Sequence, residues 1–239
     1  TISFAGALSC NSADSPRTIT LTGANTGTNT IAFNYEDNGS GTCSLIKNGS
    51  GTWVMSGTNA YTGTTAVNVG RLLINGVHTG GGTYTVANAT TLGGSGTIAC
   101  PITLNSGATL APGGIDGFGS LTVSNAVTVD SGRTFAVKVG DLAQDEFGQL
   151  RAGSGVTVTL GGALTIDDSA GSGNGTITIV NVSELGGTRA GTFGNLPNDG
   201  DTYTGSKGRW TIHYEGGGAG AGNVTLTPPP PLGTVVSIK

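Results

Sequence analysis

The chain has 239 residues, of which 45 are glycine. Only 10% of all residues are charged, and the formal net charge is −4. A weakly acidic chain without a basic run lacks the cationic surface that phosphate backbones require, so nucleic acid is not expected as a partner. The glycines follow no collagen period, and no apolar run approaches the roughly 18 residues of a membrane-spanning helix.

The first 48 residues contain several strand-like segments. Four segments are predicted as strands: 1–4, 18–22, 30–35 and 44–47. A polar stretch that contains Pro16 separates the first from the second.

Residues 49–76 form the clearest unit, because apolar side chains alternate there with polar or small ones. The alternating pairs are Trp53 and Met55, Val67 and Val69, and Leu72 and Ile74. A period of two indicates strands with one buried face, and the intervening glycines paired with serine, threonine or asparagine indicate tight turns. One such unit cannot bury its apolar face alone, whereas a stack of units can.

Strand-like segments continue to the end of the chain. They are predicted at 83–86, 96–98, 102–104, 109–110, 121–123, 126–129, 134–139, 156–160, 163–166, 176–182, 210–214, 223–227 and 234–238. A recurrence at about 20 residues predicts one coil per repeat, and about ten coils stacked 4.8 Å apart would form a rod on the order of 50 Å long. The polar stretch 141–151 predicts a loop or a surface helix of under three turns.

The unit at 49–76 resembles the passenger-associated, or autotransporter-associated, β-strand repeat. The matching residues are Gly49, Gly51, Thr52, Trp53, Ser56, Gly57, Asn59, Tyr61, Thr62, Gly63, Thr65, Val67, Gly70, Leu72, Asn75 and Gly76. The similarity extends over about residues 49–227. It implies an all-β, right-handed parallel β-helix from a secreted or surface-displayed bacterial protein, but no particular chemistry, since that scaffold carries many functions or none.

Three segments are predicted on this basis. Residues 1–48 are expected to form an atypical N-terminal cap with the first coils, because an uncovered first strand exposes unpaired backbone groups. Residues 49–227 are expected to form the β-helix repeat region. Residues 228–239 begin with four prolines and are expected to form a linker followed by an extended C-terminal tail strand.

The sequence gives little support to catalysis. Asp167 and Asp168 follow a strand, where turn capping is favoured over a catalytic role, and His78 and His213 are expected at the surface without metal partners. Residues 198–201 read Asn-Asp-Gly-Asp, which leaves calcium binding open as an alternative. We therefore expect no enzyme, no cofactor and no metal site.

Three cysteines leave two interpretations open. Cys10 and Cys43 are candidates for one disulfide, which would close a loop of about 30 residues and contribute about 3 kcal/mol. Alternatively, all three cysteines, including Cys100, are small buried apolar residues.

The predicted function is structural: an extracellular subunit that assembles end to end with copies of itself. Exposed terminal strands are templates for pairing, and the tail strand beyond the prolines suggests donation to the next subunit. The candidate interface residues are Thr1, Ile2, Ser3, Phe4, Thr234, Val235, Val236, Ser237 and Ile238. The alternatives are an adhesin-like passenger module that binds surface glycans or host cells and, less favoured, a polysaccharide-active β-helix enzyme.

Overall fold

The computed structural model describes residues 3–4, 7–9, 15–25, 27–113, 117–173, 175–216 and 222–228. Within these residues the chain forms eight stacked coils, each with three short strands, followed by three antiparallel strands. A single 3-10 turn, Leu142–Gln144, is the helical element of the described part. The polar stretch predicted as a loop or short helix therefore contains one helical turn.

The strands are numbered in chain order. The first four coils contain β1 (Ser3–Phe4), β2 (Ala7–Ser9) and β3 (Arg17–Leu21); β4 (Thr28–Ile31), β5 (Asn34–Glu36) and β6 (Cys43–Lys47); β7 (Thr52–Met55), β8 (Thr58–Asn59) and β9 (Thr65–Val67); and β10 (Arg71–Ile74), β11 (Val77–His78) and β12 (Tyr84–Val86). The next four contain β13 (Thr91–Gly94), β14 (Thr97–Ile98) and β15 (Ile102–Leu104); β16 (Thr109–Pro112), β17 (Gly119–Val123) and β18 (Val127–Val129); β19 (Thr134–Lys138), β20 (Gly148–Ala152) and β21 (Thr157–Leu160); and β22 (Ala163–Asp167), β23 (Ile177–Asn181) and β24 (Thr188–Ala190). The last strands are β25 (Thr202–Thr204), β26 (Arg209–Tyr214) and β27 (Val224–Thr227).

Corresponding strands of successive coils pair in parallel and build three faces. Sheet A contains the first strand of every coil in one eight-stranded ladder. Sheet B contains the second strands, as the pair β2–β5 and then a continuous ladder from β8 to β23. Sheet C contains the third strands, as a five-stranded ladder from β3 to β15 followed by β18, β21 and β24. The architecture is thus a parallel β-helix, which confirms the predicted fold class.

The core lies inside the three faces and consists of side chains stacked in register. On sheet A, the inward column runs Trp53, Leu72, Leu92, Leu110, Phe135 and Leu164. All six are at most 7% exposed. Because each coil buries its apolar face only against the coils above and below, the strands are stable as a stack and not singly.

The glycines of the repeat are required where one coil passes directly over the next. A Cβ on Gly76 would lie 2.0 Å from the carbonyl oxygen of Gly57, and a Cβ on Gly96 would lie 2.0 Å from that of Gly76. Neither glycine has a positive φ, so the requirement is close backbone approach and not conformational freedom. The corner between sheets A and B therefore carries a glycine in three successive coils, at Gly57, Gly76 and Gly96.

The described structure differs from the expected strand list in two respects. Its coils number eight and not ten, because the last predicted strands, at 210–214 and 223–227, belong to the antiparallel group and not to further coils. Two of the two-residue strands of sheet B, β8 and β11, were not predicted, since two residues are too short to show alternation. The right-handedness of the coil and the boundaries at 48 and 227 stay predictions.

The described part of residues 1–48 continues the stack. Ser3 and Phe4 pair in parallel with Thr30 and Ile31 on sheet A, and β3 pairs in parallel with β6 on sheet C. This region therefore supplies the first two coils in its described residues, while the tail strand at 234–238 lies outside them.

Candidate functional site

The two ends of the stack are the features with the clearest potential to bind another molecule. Of the predicted interface residues, Ser3 and Phe4 form the terminal strand of sheet A. Thr1 and Ile2, together with the tail residues 234–238, lie outside the described residues, so the contacts predicted for them stay predictions.

The N-terminal end presents an open backbone edge at β3, which is the terminal strand of its ladder on sheet C. The Arg17 N–H donates to the Thr42 carbonyl (2.9 Å), and the Leu21 carbonyl accepts from the Asn48 N–H (2.8 Å). Alternate residues of a strand direct their backbone groups to opposite sides, so Thr18 and Thr20 direct theirs away from β6. Within the described residues no strand pairs with that side of β3.

An apolar cavity of about 450 Å³ lies beside this edge. Its lining comes from the first three coils: Ile19, Thr20, Leu21, Thr22, Ile31, Phe33 and Trp53. Trp53 forms one wall and is fixed there because its indole N–H donates to the Thr22 carbonyl at 3.0 Å. We call this cavity the N-terminal recess.

The C-terminal end is closed by the antiparallel strands β25–β27, which we call the C-terminal cap. Strand β27 pairs antiparallel with β23, so the cap extends sheet B beyond the last coil. Trp210, Ile212 and Leu226 bury their side chains there and are at most 3% exposed. The cap thus covers the apolar interior of the last coil.

Asp168 attaches the cap to the stack. This carboxylate is 1% exposed and accepts hydrogen bonds from the Trp210 indole (2.8 Å), the Ser206 hydroxyl (2.7 Å) and the backbone N–H groups of Ser206 and Lys207 (2.6 and 3.2 Å). Burial alone would raise the pKa of Asp168, but these hydrogen bonds outweigh it and the pKa is lowered. Turn capping was predicted for Asp168 and is wrong, because its carboxylate bonds Ser206, Lys207 and Trp210 and not the turn after its own strand.

Two further side chains complete the closure of this end. The amide of Asn195 accepts from the Leu164 N–H (2.8 Å) and donates to the Leu164 carbonyl (2.9 Å), which replaces the missing next strand along β22. Arg189, only 2% exposed, donates to the carbonyls of Gly222 (2.9 Å) and Glu215 (3.2 Å) in and beside the cap. Both interactions satisfy groups that the stack would otherwise leave unpaired.

The other predicted carboxylates also have structural partners. Asp167 accepts from the N–H and hydroxyl of Ser169, at 3.1 and 2.7 Å. At 198–201, Asp201 accepts from Asn198 and Asp199 accepts from the Tyr214 N–H, so both side chains hold their own loop. Among the described residues no group of three or more histidine, cysteine or acidic side chains converges as a metal site would require.

The expectation for His78 was wrong, because this side chain is fully buried inside sheet B. Its ring stacks on Tyr61, and its Nε2–H donates to the Tyr61 carbonyl at 3.0 Å, since a carbonyl can only accept. Nδ1 then accepts from the Tyr84 hydroxyl at 2.6 Å. Burial lowers the pKa of His78, so the ring is held neutral. His213 remains partly exposed on β26.

The polar residues of the repeat are internal supports. Asn59 is fully buried, accepts from the Tyr35 N–H and donates to the Gly57 carbonyl, both at 3.1 Å. The Tyr61 hydroxyl lies 2.6 Å from the Thr65 hydroxyl. The motif residues therefore stabilise one coil and its corners and do not form a ligand-binding signature.

Lys47 was not predicted as a buried residue. It is fully buried at the inner end of β6, and its ammonium donates to the carbonyls of Gly49 and Val69, the latter at 2.9 Å. Desolvation lowers its pKa. Its inward position follows from the alternation of Cys43, Leu45 and Lys47 along the strand. Burial of Lys47 was nevertheless not predicted, because lysine side chains are usually exposed.

The cysteines divide into two kinds. Cys43 is disulfide-bonded, whereas Cys100 is a buried free thiol. Cys10 lies outside the described residues, so the Cys10–Cys43 pairing stays a prediction. No helix in the described part of the chain is long and apolar enough to cross a membrane.

Comparison with known proteins agrees with the geometry of the coil. The family model Passenger-associated-transport-repeat matches residues 45–74, which run from β6 through one complete coil to β10. The chain is also 52% identical over 65 residues to "Adhesin BmaC autotransporter" of Brucella suis biovar 1 (strain 1330). The match covers 27% of this chain and 2% of the relative.

Proposed function

We propose that this chain is a rigid, non-enzymatic segment of a secreted or surface-exposed, adhesin-like passenger. The observation that carries the proposal is the passenger repeat, whose conspicuous residues are used to stack coils and not to form a reactive centre. The adhesin relative supports the same assignment. In this role the stack holds its outer faces at fixed spacing, about 4.8 Å from coil to coil.

The partner proposed for this role is a surface glycan or a host cell. Sheet C offers a suitable face, because threonines Thr85 and Thr103, and Thr128 and Thr159, stand side by side in register on its outside. Uncharged hydroxyls at regular spacing are suited to repeated hydrogen bonds with sugar hydroxyl groups.

Purified full-length chain on a glycan array and on cultured cells tests this role. Sheet C is supported as the binding face if the monomer binds and Thr103→Asp lowers its affinity at least tenfold. The matched sheet B variant, Thr97→Asp, should bind with unchanged affinity. Absence of binding to both glycans and cells by folded monomer would reject the adhesin role. Retained binding in both variants would reject sheet C alone.

End-to-end self-assembly is a second candidate, favoured by the difference between the two ends. One end is closed by the cap, whereas the other presents an open edge and the N-terminal recess. A contact between unlike ends does not close on itself and therefore produces a filament. We propose that residues 234–238 of one copy add as a strand to the next copy.

Negative-stain electron microscopy of the full chain and of a variant lacking residues 228–239 tests assembly. Filaments from the full chain that disappear on truncation support strand donation. Filaments of unchanged length from the truncated chain would reject the role of the tail, and a full chain that stays monomeric at high concentration would reject assembly altogether.

The enzymatic alternative makes a separate prediction. Polysaccharide cleavage that is lost in Asp167→Ala with the fold intact would restore it. Asp168→Ala is uninformative for this purpose, because Asp168 attaches the cap.

A further inference from the structure

We propose that the outer edge of β3 and the N-terminal recess form one acceptor site, which takes an extended strand with alternating apolar side chains from a second copy of this chain. This inference rests on the proposed self-assembly and identifies where the donated strand binds. The site combines two features that a strand addition needs: unpaired backbone groups and a pocket for alternate side chains.

The backbone part of the site consists of Thr18 and Thr20. Their N–H and C=O groups face away from β6, since Arg17 and Leu21 use theirs to bond β6. An added parallel strand would bond to these four groups and would continue sheet C by one more step of about 4.8 Å. The four residues Thr18 to Leu21 include no proline and no charged side chain, the devices that proteins use to prevent such pairing, and the charged Arg17 precedes them.

The pocket part is the recess, about 450 Å³ in volume and lined by apolar side chains except for two threonines. Ile19 and Leu21 point inward from β3, because they are in register with the inward Leu45 and Lys47 of β6. Side chains at the corresponding positions of an added strand would enter the same space. Its volume lies within the range of about 300–1,000 Å³ typical of ligand pockets.

The occupant is assigned to residues 234–238 of a second copy, Thr-Val-Val-Ser-Ile. Aligned with the five residues of β3, this segment places Val236 over Ile19 and Ile238 over Leu21. Ser237 then lies beside the outward Thr20. The preceding prolines cannot pair in a ladder, so they serve as a spacer of about 12 Å.

The opposite end offers no equivalent recess. There Asn195 bonds the outer edge of β22, and β27 pairs with β23, while β24 and β25 are the terminal strands of their ladders within the described residues. The interior beneath is filled by Trp210 and Ile212. A donated strand therefore finds a strand edge and an apolar recess together at the N-terminal end, and the resulting contact is head to tail.

Thr20→Pro is the sharpest test, because it removes the N–H that faces the incoming strand and leaves every bond between β3 and β6 in place. Thr20→Val is the matched control, since it keeps the N–H and differs from threonine only in the hydroxyl. Polymerisation of the full-length proteins is followed by sedimentation and electron microscopy, with far-ultraviolet circular dichroism to check folding. We expect Thr20→Pro to raise the concentration needed for assembly at least tenfold and Thr20→Val to leave it unchanged.

A second pair of variants covers a failure of Thr20→Pro to fold. Ile19→Lys places a charge in the recess, whereas Thr18→Lys places the same charge on the outer face of the same strand. We expect only Ile19→Lys to lower assembly, again at least tenfold. Excess synthetic peptide of residues 228–239 should block assembly of the wild-type chain.

The possible results distinguish a failure of the acceptor site from a failure of the self-assembly proposal. If the tail deletion abolishes filaments while folded Thr20→Pro and Ile19→Lys assemble like wild type, assembly stands and the acceptor site is wrong. If the wild-type chain never assembles, both the assembly proposal and the acceptor site fall.

Discussion

The two ends of this β-helix differ in how the backbone groups of their terminal strands are paired. Every stack of parallel strands leaves one row of unpaired backbone groups at each end. At the C-terminal end, side chains and antiparallel strands satisfy that row along sheets A and B: Asn195 pairs with β22, β27 pairs with β23, and Asp168 fixes the cap in place. At the N-terminal end, no strand of the described residues pairs with the outer side of Thr18 and Thr20, which lie beside an apolar recess. The difference shows that closure is a local property of particular residues and does not follow from the repeat.

The largest expected effect comes from detaching the cap. Asp168→Ala leaves the Trp210 indole and the N–H groups of Ser206 and Lys207 without their acceptor, which should lower the free energy of unfolding by about 3–5 kcal/mol. Urea unfolding followed by tryptophan fluorescence measures it. The neighbouring Asp167→Ala, on an exposed carboxylate, should cost less than about 1 kcal/mol. Equal losses in the two variants would contradict the role given to Asp168.

The interior of the stack gives the next largest effect. A Cβ at Gly76 meets the Gly57 carbonyl oxygen at 2.0 Å, so Gly76→Ala must displace one coil against the next and should cost about 2–3 kcal/mol. Gly153→Ala is the matched control, since its nearest atom lies at 3.4 Å, an ordinary contact. Thermal unfolding of both variants checks the difference. A Gly76→Ala protein as stable as Gly153→Ala would show that the corner is not closely packed.

Asn195→Ala should convert part of the closed end into an open one. The substitution frees the Leu164 N–H and carbonyl on the edge of β22 and should cost about 1–2 kcal/mol. Amide exchange at Leu164 should accelerate in the variant while exchange at Val137, in the interior of sheet A, stays slow. Unchanged protection of Leu164 would mean that another group satisfies the edge.

The smallest effect is a dependence on pH that reports on the core near the N-terminal half. Since the pKa of His78 is lowered in the folded state, the unfolded chain binds the extra proton, and stability falls as the pH drops below about 6.5. The slope approaches about 1.4 kcal/mol per pH unit until the folded pKa is reached. This range lies above the one in which carboxylates such as Asp168 take up protons, below about pH 4.

Equilibrium unfolding at pH 7.0 and 5.5 measures that dependence. His78→Gln should flatten it, and His213→Gln, at a partly exposed position, should leave it as in wild type. A wild-type slope retained in His78→Gln would remove His78 as its source.

Sequence reasoning accounts for the stack better than for its ends. Alternation and repeated glycines predict sheets A and C, because each inward column, such as Trp53, Leu72 and Leu92, follows directly from a period of two. In sheet B the strands at 96–98, 121–123 and 176–182 were predicted, whereas β8 and β11 were not, because two residues such as Val77 and His78 show no period. For the same reason His78 was misplaced at the surface. Lys47 was missed because composition argues against burying a lysine.

The closing contacts escaped prediction for a different reason. Asp168 and Trp210 are 42 residues apart, and Asn195 and Leu164 are 31 apart, so no local pattern connects them. The sequence predicted that Asp168 caps the turn after its own strand, which is wrong, because its partners are Ser206, Lys207 and Trp210 after the last coil. Such contacts become visible only once the topology is known.

Amide hydrogen exchange on the monomeric wild-type chain is the most direct test of the difference between the ends. The account predicts that the amides of Thr18 and Thr20 exchange at nearly unprotected rates, because their N–H groups face an open edge. It predicts strong protection at Ile212 and Tyr214, whose N–H groups donate to Asp201 and Asp199 in the cap. Equally slow exchange at both ends would contradict the open edge, and fast exchange at Ile212 and Tyr214 would contradict the closed one.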